Sequence, residues 1–420
     1  MVPIGRKILL DRTDRLQRLG VPSVDLDRTA VRLGRRGVEV IDLSRLAISG
    51  ALTTQELKSS SRQFAPSSDD WQEAADADLA HLTEAVARWY DRRFGVTLDP
   101  SREVAVVPNA IVGLFSLSLA FVDAGELVLL PDPGAAFYRG TVVLTGGGVI
   151  PYHLWERNDY LPSFPGLEAG LVGRTRMMVL SYPHNPTAAA ADMNVLVQTV
   201  AFARRHRVLV AFDGAFTYAA DGAFRPRSLL EAPGAKGVGV EVSAIGANFG
   251  VNDLAPAVIC GNRDAISAVS FLVRRSQLRP SRAALRCAQY LLDNAETILA
   301  RRTERLKVSR QLTTETVVEI GWTPRSSPTV PFLWISIPGA LNAEAFCRRM
   351  LRRTGILLAP GTDFGERGEG FVRLTLPEDP AVAQTVAERL RRHVKLYQRR
   401  LPRRRPRRPS DRGRSPAAKD

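Results

Sequence analysis

Chemistry in this chain has to come from few residue types: five histidines, three cysteines and six lysines are spread over 420 residues. His184, beside Asn185 in the run HNPT, has the type of a general acid or base. Asn185 itself precedes Pro186 and suits a turn. Asp213, in FDGAF, follows the apolar run Val208 to Phe212 and suits the cap of a turn or helix. Arg373, in GEGFVRLTL, reads on local grounds as a strand arginine facing solvent. Cys260, Cys287 and Cys347 are odd in number, far apart and embedded in apolar or helical sequence. They indicate neither a disulfide framework nor a zinc site, and read as buried structural thiols.

The elements that would position these residues alternate. Apolar residues recur at helical spacing from Leu79 to Tyr90, and apolar runs bounded by Pro, Gly and Asp stand at Glu126 to Leu130, Met177 to Leu180 and Val208 to Phe212. This is the pattern of an α/β domain with a largely parallel sheet. After Pro280 one long helical stretch is expected to run to about Leu312, followed by a strand (PFLWISIP), a helix (AEAFCRRMLRRTG) and a strand (GFVRLTL), which make a smaller α+β domain. Four parts are expected: residues 1–50 packing with the small domain, a large domain over 51–290, a connecting helix with the small domain over 291–398, and a basic tail over 399–420.

A net charge of +15 suggests nucleic acid until it is located. Thirteen Lys or Arg against two Asp fall between Arg391 and Asp420, so the basicity is mainly a tail. Arg and Pro with almost nothing apolar predict disorder there, with electrostatic contact to polyanions as the functional alternative. No run approaches the apolar length of a membrane span, and the start MVPIGRKILLDRTDR is short of a signal peptide. A cytoplasmic location without membrane contact is the expectation.

Three ordered segments carry a resemblance: VVPNAIVGLFSLSLAFVDAGELVLLPDPGAAFY (106–138), LSYPHNPTAAAADMN with VLVAFDGAFTY (180–194 and 208–218), and GILLAPGTDFGERGEGFVRLTLPED (355–379). With the segments before and between them, most of residues 25 to 395 resembles the class I/II, fold-type-I aminotransferases. The resemblance implies a three-layer large domain with a mainly parallel sheet plus a smaller α+β domain. It also implies pyridoxal phosphate (PLP) carried on a lysine, its ring nitrogen facing a carboxylate and its phosphate held by a helix N-terminus and polar side chains. Asn185 then matches the asparagine that bonds the cofactor's phenolic oxygen, Asp213 the aspartate at the ring nitrogen, and Arg373 the arginine that grips a substrate carboxylate. A histidine at position 184 is ordinary in such relatives.

Other matched positions depart from the family. Ungapped, SAIGANFGVNDLAPAVICGN puts Ala247 at the lysine, Ala255 at a phosphate-binding arginine, and Ala244 and Gly246 at its serines. The earlier phosphate loop reads Asn109, Ala110, Ile111, Val112, Gly113; Ala135 stands at the stacking aromatic, and Phe216 and Phe64 at tyrosines. The lysines are 7, 58, 236, 307, 395 and 419, and Lys236 precedes the strand GVGVEV, at the end of a sheet opposite to that of ligand sites. These losses lead to the expectation of a degenerate member, binding no cofactor covalently. It would act as a partner or scaffold subunit, as a homodimer or paired with an aminotransferase paralogue, or in repurposed amino-acid-like metabolism. The alternative is a working PLP-dependent aminotransferase of amino acids.

Overall fold

The computed structural model describes residues 24–46, 76–163, 165, 173–251, 254–338 and 342–393. In chain order the elements begin with helix α1 (Val24–Gly34), strand β1 (Ile41–Asp42), α2 (Asp76–Phe94), β2 (Val104–Val107), α3 (Ala110–Phe121) and β3 (Leu127–Asp132). There follow α4 (Phe137–Leu144), β4 (Gly148–His153), β5 (Thr175–Ser181), α5 (Met193–His206), β6 (Leu209–Asp213), β7 (Gly239–Ala244) and α6 (Ile245–Phe249). Then come β8 (Ala257–Gly261), α7 (Arg263–Arg275), α8 (Arg282–Asp293), α9 (Ala295–Glu319), β9 (Thr323–Arg325) and β10 (Phe332–Ser336). The rest are α10 (Ala343–Thr354), β11 (Ile356–Leu357), β12 (Ala359–Pro360), β13 (Phe371–Thr375) and α11 (Pro380–Arg392).

Seven strands form the large sheet in the order β2-β8-β7-β6-β5-β3-β4. β8 runs antiparallel to both neighbours, and the other pairs are parallel. The strands read as unbroken apolar runs because both faces are covered. Leu129, Met178, Leu180, Val210 and Phe212 face one core, while Val128, Leu130, Met177, Val179 and Ala211 face the other. The period of two therefore serves both cores, and a one-residue slip would exchange them.

Helix starts are set by side-chain caps. Asn109 accepts from Val112 N, Asp192 from Val195 N, and Asn342 from Ala345 N, each satisfying an N–H that the first turn leaves open. Gly355 ends α10 at φ 72°, where a Cβ would stand 2.6 Å from the Glu39 carbonyl, so glycine is required by both backbone and space.

The smaller layer is an antiparallel sheet in the order β12-β13-β10-β9. The N-terminal strap joins it: β1 pairs in parallel with β11, Leu43 N donates to Leu357 O, and Thr375 N donates to Leu43 O. Leu26 and Leu43 of this strap share a core with Trp322, Leu333, Met350 and Leu374. The α/β expectation holds, with one difference. The helical run after Pro280 is two helices, α8 and α9, that meet at Asn294, whose N–H closes the last turn of α8 on Tyr290 O. Apolar periodicity continues across this joint and carries no Pro or Gly to mark it. The segments holding Phe64 and the tail 399–420 lie outside the described residues.

Candidate functional site

Ser181, Asp213 and Ala244 close β5, β6 and β7 at one edge of the large sheet, with Ser181 and Asp213 in register. The carboxyl ends of parallel strands are where an open α/β sheet forms its cleft. Asp213 is buried there. Its Oδ2 accepts from the Tyr138 hydroxyl at 2.6 Å and its Oδ1 from Ala215 N at 3.1 Å. Burial raises the carboxyl's pKa and these two donors pull it back, while burial and the adjacent carboxyl push the Tyr138 phenol well above its usual range.

Arg373 is not exposed, as its local sequence suggested; it is 6% accessible. Nη1 donates to Asn185 Oδ1 at 2.8 Å and Nη2 to Ser44 O at 2.7 Å, so one guanidinium ties the smaller sheet to the turn after β5 and to the strap. The plane lies over the rings of Phe364 (4.8 Å) and Phe332 (5.6 Å), and Nε is buried without a partner. Burial lowers its pKa to about 10, which still leaves a cation at neutral pH. The two layers also meet at Asp132, whose Oδ1 accepts from Arg367 N at 3.0 Å, and where Gly134 N donates to Phe364 O at 2.7 Å.

His184, whose type allowed an acid or base, sits in the turn after β5. It is buried, Nδ1 bonds Thr187 Oγ1 at 2.8 Å, and desolvation lowers its pKa to about 3, so the ring stays neutral. Cys260 and Cys347 are buried, whereas Cys287 is half-buried. Among the described residues no group of three or more His, Cys, Asp or Glu could hold a metal ion, and no helix is long and apolar enough to cross a membrane.

Ala247 lies in α6, a single turn held from both sides. Asn248 Nδ2 donates to Gly214 O, Ser243 Oγ and Ala244 O, and its Oδ1 accepts from Tyr218 N. Arg302 Nη1 donates to Asn248 O at 3.0 Å, and Arg302 forms a buried pair with Glu378 at 3.1 Å. Gly250 ends the turn at φ 75°, and a Cβ there would meet Arg302 Nε at 2.5 Å. Tyr138, Asn248 and Arg302 were not marked by sequence reasoning. Tyr138 follows the DPG turn closely enough for its position to have drawn attention; the other two offered no local signal.

PLP fits one end of this cleft. A buried carboxylate only partly compensated by two donors favours a cationic ring nitrogen, and Asn185, which Arg373 holds, follows β5, the strand that pairs with Asp213's own. The described residues supply no amine at the other end. Lys236 Nζ is engaged by Glu103 at 2.7 Å and by Thr97 O, ahead of β7 and thus at the opposite edge of the sheet. The Lys307 side chain is 56% exposed on α9. Lys7, Lys58, Lys395 and Lys419 lie outside the described residues.

The family model described as "Aminotransferase class I and II" matches residues 39–390. An LL-diaminopimelate aminotransferase of Desulforudis audaxviator is 33% identical over 319 residues, covering 76% of this chain and 81% of that protein. One from Moorella thermoacetica is 30% identical over 318 residues, covering 75% and 80%. The solved structure of substrate-bound BacF from Bacillus subtilis superposes with a TM-score of 0.80 at 24% identity, covering 89% of this chain and 94% of that one, and so shares the fold. These findings overturn the expectation of a degenerate partner or scaffold subunit: relatives 33% and 30% identical over about three quarters of the chain are named as aminotransferases, which supports the working-enzyme alternative. They likewise weigh against the expectation that no cofactor is bound covalently.

Proposed function

The chain belongs to the class I and II aminotransferase family, and we propose that it is a working aminotransferase that uses PLP on amino acids, of the kind its LL-diaminopimelate aminotransferase relatives suggest. The observation that carries this reading is Arg373, a buried guanidinium held by Asn185 and Ser44 with its Nε unpartnered. Such a group is preorganised for a substrate carboxylate, because its own rotamer is locked before the ligand arrives. Asp213, oriented by Tyr138, would hold the ring nitrogen, and Asn185 the phenolic oxygen. Bound there, PLP supplies the electron sink for bond breaking at the amino acid's α-carbon. Since residue 247 is alanine, contacts other than a bond at that position must keep the cofactor in the cleft.

Support for a dimer comes from α3. Its sequence AIVGLFSLSLAF has no charged residue, yet Ile111 and Leu119 are each 50% exposed, and a helix apolar all round is normally covered. We read this face as packing on a second copy or on an aminotransferase paralogue. A core around Leu333, Met350 and Leu374, shared with Leu26 and Leu43 of the strap, supports a smaller domain over 291–398 beside a large one over 51–290, while Trp334 and Ala359 of the smaller sheet pack into the large layer's core.

Purified protein saturated with PLP is expected to move ¹⁵N from LL-diaminopimelate or glutamate to a 2-oxo acid. No transfer from any amino donor while PLP is bound would refute the reading. Borohydride reduction and peptide mapping would then show whether a lysine of this chain carries the cofactor.

A further inference from the structure

Residues 24–390 are close to neutral, with forty Lys or Arg against thirty-nine Asp or Glu, so a concentration of one sign there is a local feature. One such concentration lies on the smaller layer. α1 packs against α10, where Leu26 shares a core with Phe346 and Met350 and Asp25 pairs with Arg348 at 3.0 Å. The ends of the two helices meet as well. Gly355, which closes α10, stands against the Glu39 carbonyl, and Arg389 of α11 donates both to that carbonyl and to Thr354 O.

α1 and its closing turn carry Arg28, Arg32, Arg35 and Arg36, and α10 carries Arg349, Arg352 and Arg353. All seven are exposed, and none has an ion-pair partner among the described residues. Positions three and four apart share one side of a helix, so each helix presents a row of guanidinium groups about 4.5–6 Å apart along its axis. The acids nearby are engaged elsewhere: Asp25 and Glu344 face Arg348, Asp27 faces Arg45, and Glu39 faces Arg389. Arginines in a last turn offset the helix dipole, but the three helix ends here supply only about 1.5 negative charges between them. Several cations are left without a counter-charge in the protein. The chain also leaves α11 at this place, and from Arg391 onward its sequence adds thirteen Lys or Arg against two Asp.

We infer that this face binds the phosphate backbone of double-stranded nucleic acid without reading its bases. Guanidinium forks match phosphate oxygens, and each phosphate neutralised releases condensed counterions, so arginines too exposed to matter in single ion pairs act strongly together. Among the described residues, α1 and α10 expose no aromatic ring on which an unpaired base could stack, which disfavours a single strand. The large apolar residues exposed beside the arginines are Val31 and Val38, with no Trp, Phe or Leu to enter a lipid surface. The inference is independent of the aminotransferase reading.

The test is fluorescence anisotropy of the full-length protein with a labelled DNA duplex of about 25 base pairs and arbitrary sequence, between about 50 and 200 mM salt. The triple variant Arg28→Gln, Arg32→Gln, Arg35→Gln should bind about tenfold more weakly or worse, and the slope of log affinity against log salt should fall by about 2.7. The triple variant Arg349→Gln, Arg352→Gln, Arg353→Gln should do the same. As a control, Arg204→Gln, Arg205→Gln, Arg207→Gln takes equal charge from the exposed end of α5 and should leave both quantities nearly unchanged. Equal weakening in the control would overturn the inference, because net charge alone would then explain binding. So would undiminished binding in both α1 and α10 variants at unchanged melting temperature, which would assign the contact to the chain after α11. Tighter binding to phosphatidylserine vesicles than to the duplex, or no binding of the duplex by the unaltered protein at the lowest salt, would overturn it too.

Discussion

Replacing Glu241 by glutamine should remove a large part of this protein's loss of stability with rising pH. Glu241 lies in β7 and is wholly buried. It accepts from the Tyr90 hydroxyl at 2.9 Å, from Leu229 N at 3.2 Å and from the Ser228 hydroxyl. Burial raises its carboxyl from 4.5 to about 7, against the pull of these donors; Glu231 adds a smaller upward push. Below pH 4.5 the group is protonated whether folded or unfolded, and no penalty arises. Between pH 4.5 and 7 the unfolded chain releases its proton first, so stability falls, and above pH 7 the penalty levels off at about 3 kcal/mol. Glutamine keeps the shape and some of the hydrogen bonds without the proton, and groups elsewhere titrate alike in both proteins. The difference in unfolding free energy between Glu241→Gln and the unaltered protein, from urea titrations at pH 5 and pH 8, should therefore move by about 2–3 kcal/mol in the variant's favour. A difference that stays constant across that range would refute the reasoning.

Three further perturbations follow from the geometry. Tyr138→Phe removes a donor from Asp213 and should weaken PLP binding about tenfold, read by fluorescence titration; unchanged affinity would show that Asp213 does not serve the ring. Glu378→Ala strands Arg302 in the interior and should cost about 3–5 kcal/mol in chemical denaturation, most of it recovered in the double variant Arg302→Met, Glu378→Leu; a loss below 1 kcal/mol would mean that the pair is hydrated. Gly355→Val forces a branched residue into a left-handed backbone and a Cβ against the Glu39 carbonyl, so at least about 2 kcal/mol should be lost; an unchanged melting temperature would show that the α10 terminus relaxes freely.

The sheet was legible because its strands announce themselves locally. The run Val208 to Phe212 ends at an aspartate, and the structure ends β6 there. What sequence could not show is partnership at a distance. Tyr138 and Asp213 are 75 residues apart, and Arg302 and Glu378 are 76 apart. Arg302 falls in a helix rich in charge, where an arginine ordinarily faces water, and only the fold shows that it points inward. Local sequence alone makes Arg373 look like an exposed strand arginine; the resemblance pointed to a carboxylate site instead, and the fold buries it against Asn185 and Ser44. The ungapped match that set Ala247 at the family's lysine led to the expectation of a degenerate member, and it was a poor guide to function, since relatives over three quarters of the chain are named as aminotransferases.

The strap that holds Ser44 against Arg373 bears on the order in which the protein can assemble during synthesis. These partners are separated by 329 residues, and closing a loop of that length costs about 5 kcal/mol of chain entropy before any contact rewards it. All seven strands of the large sheet have been translated by Gly261, whereas β13, which both carries Arg373 and pairs with Leu43, emerges more than a hundred residues later. On the ribosome the strap must therefore wait without its partners while the large layer forms, and the grip on a substrate carboxylate is among the last features to be made. A chain stopped before Phe371 would keep every strand of the large sheet and lack the guanidinium altogether, so that fold and recognition are separable by the point at which translation ends.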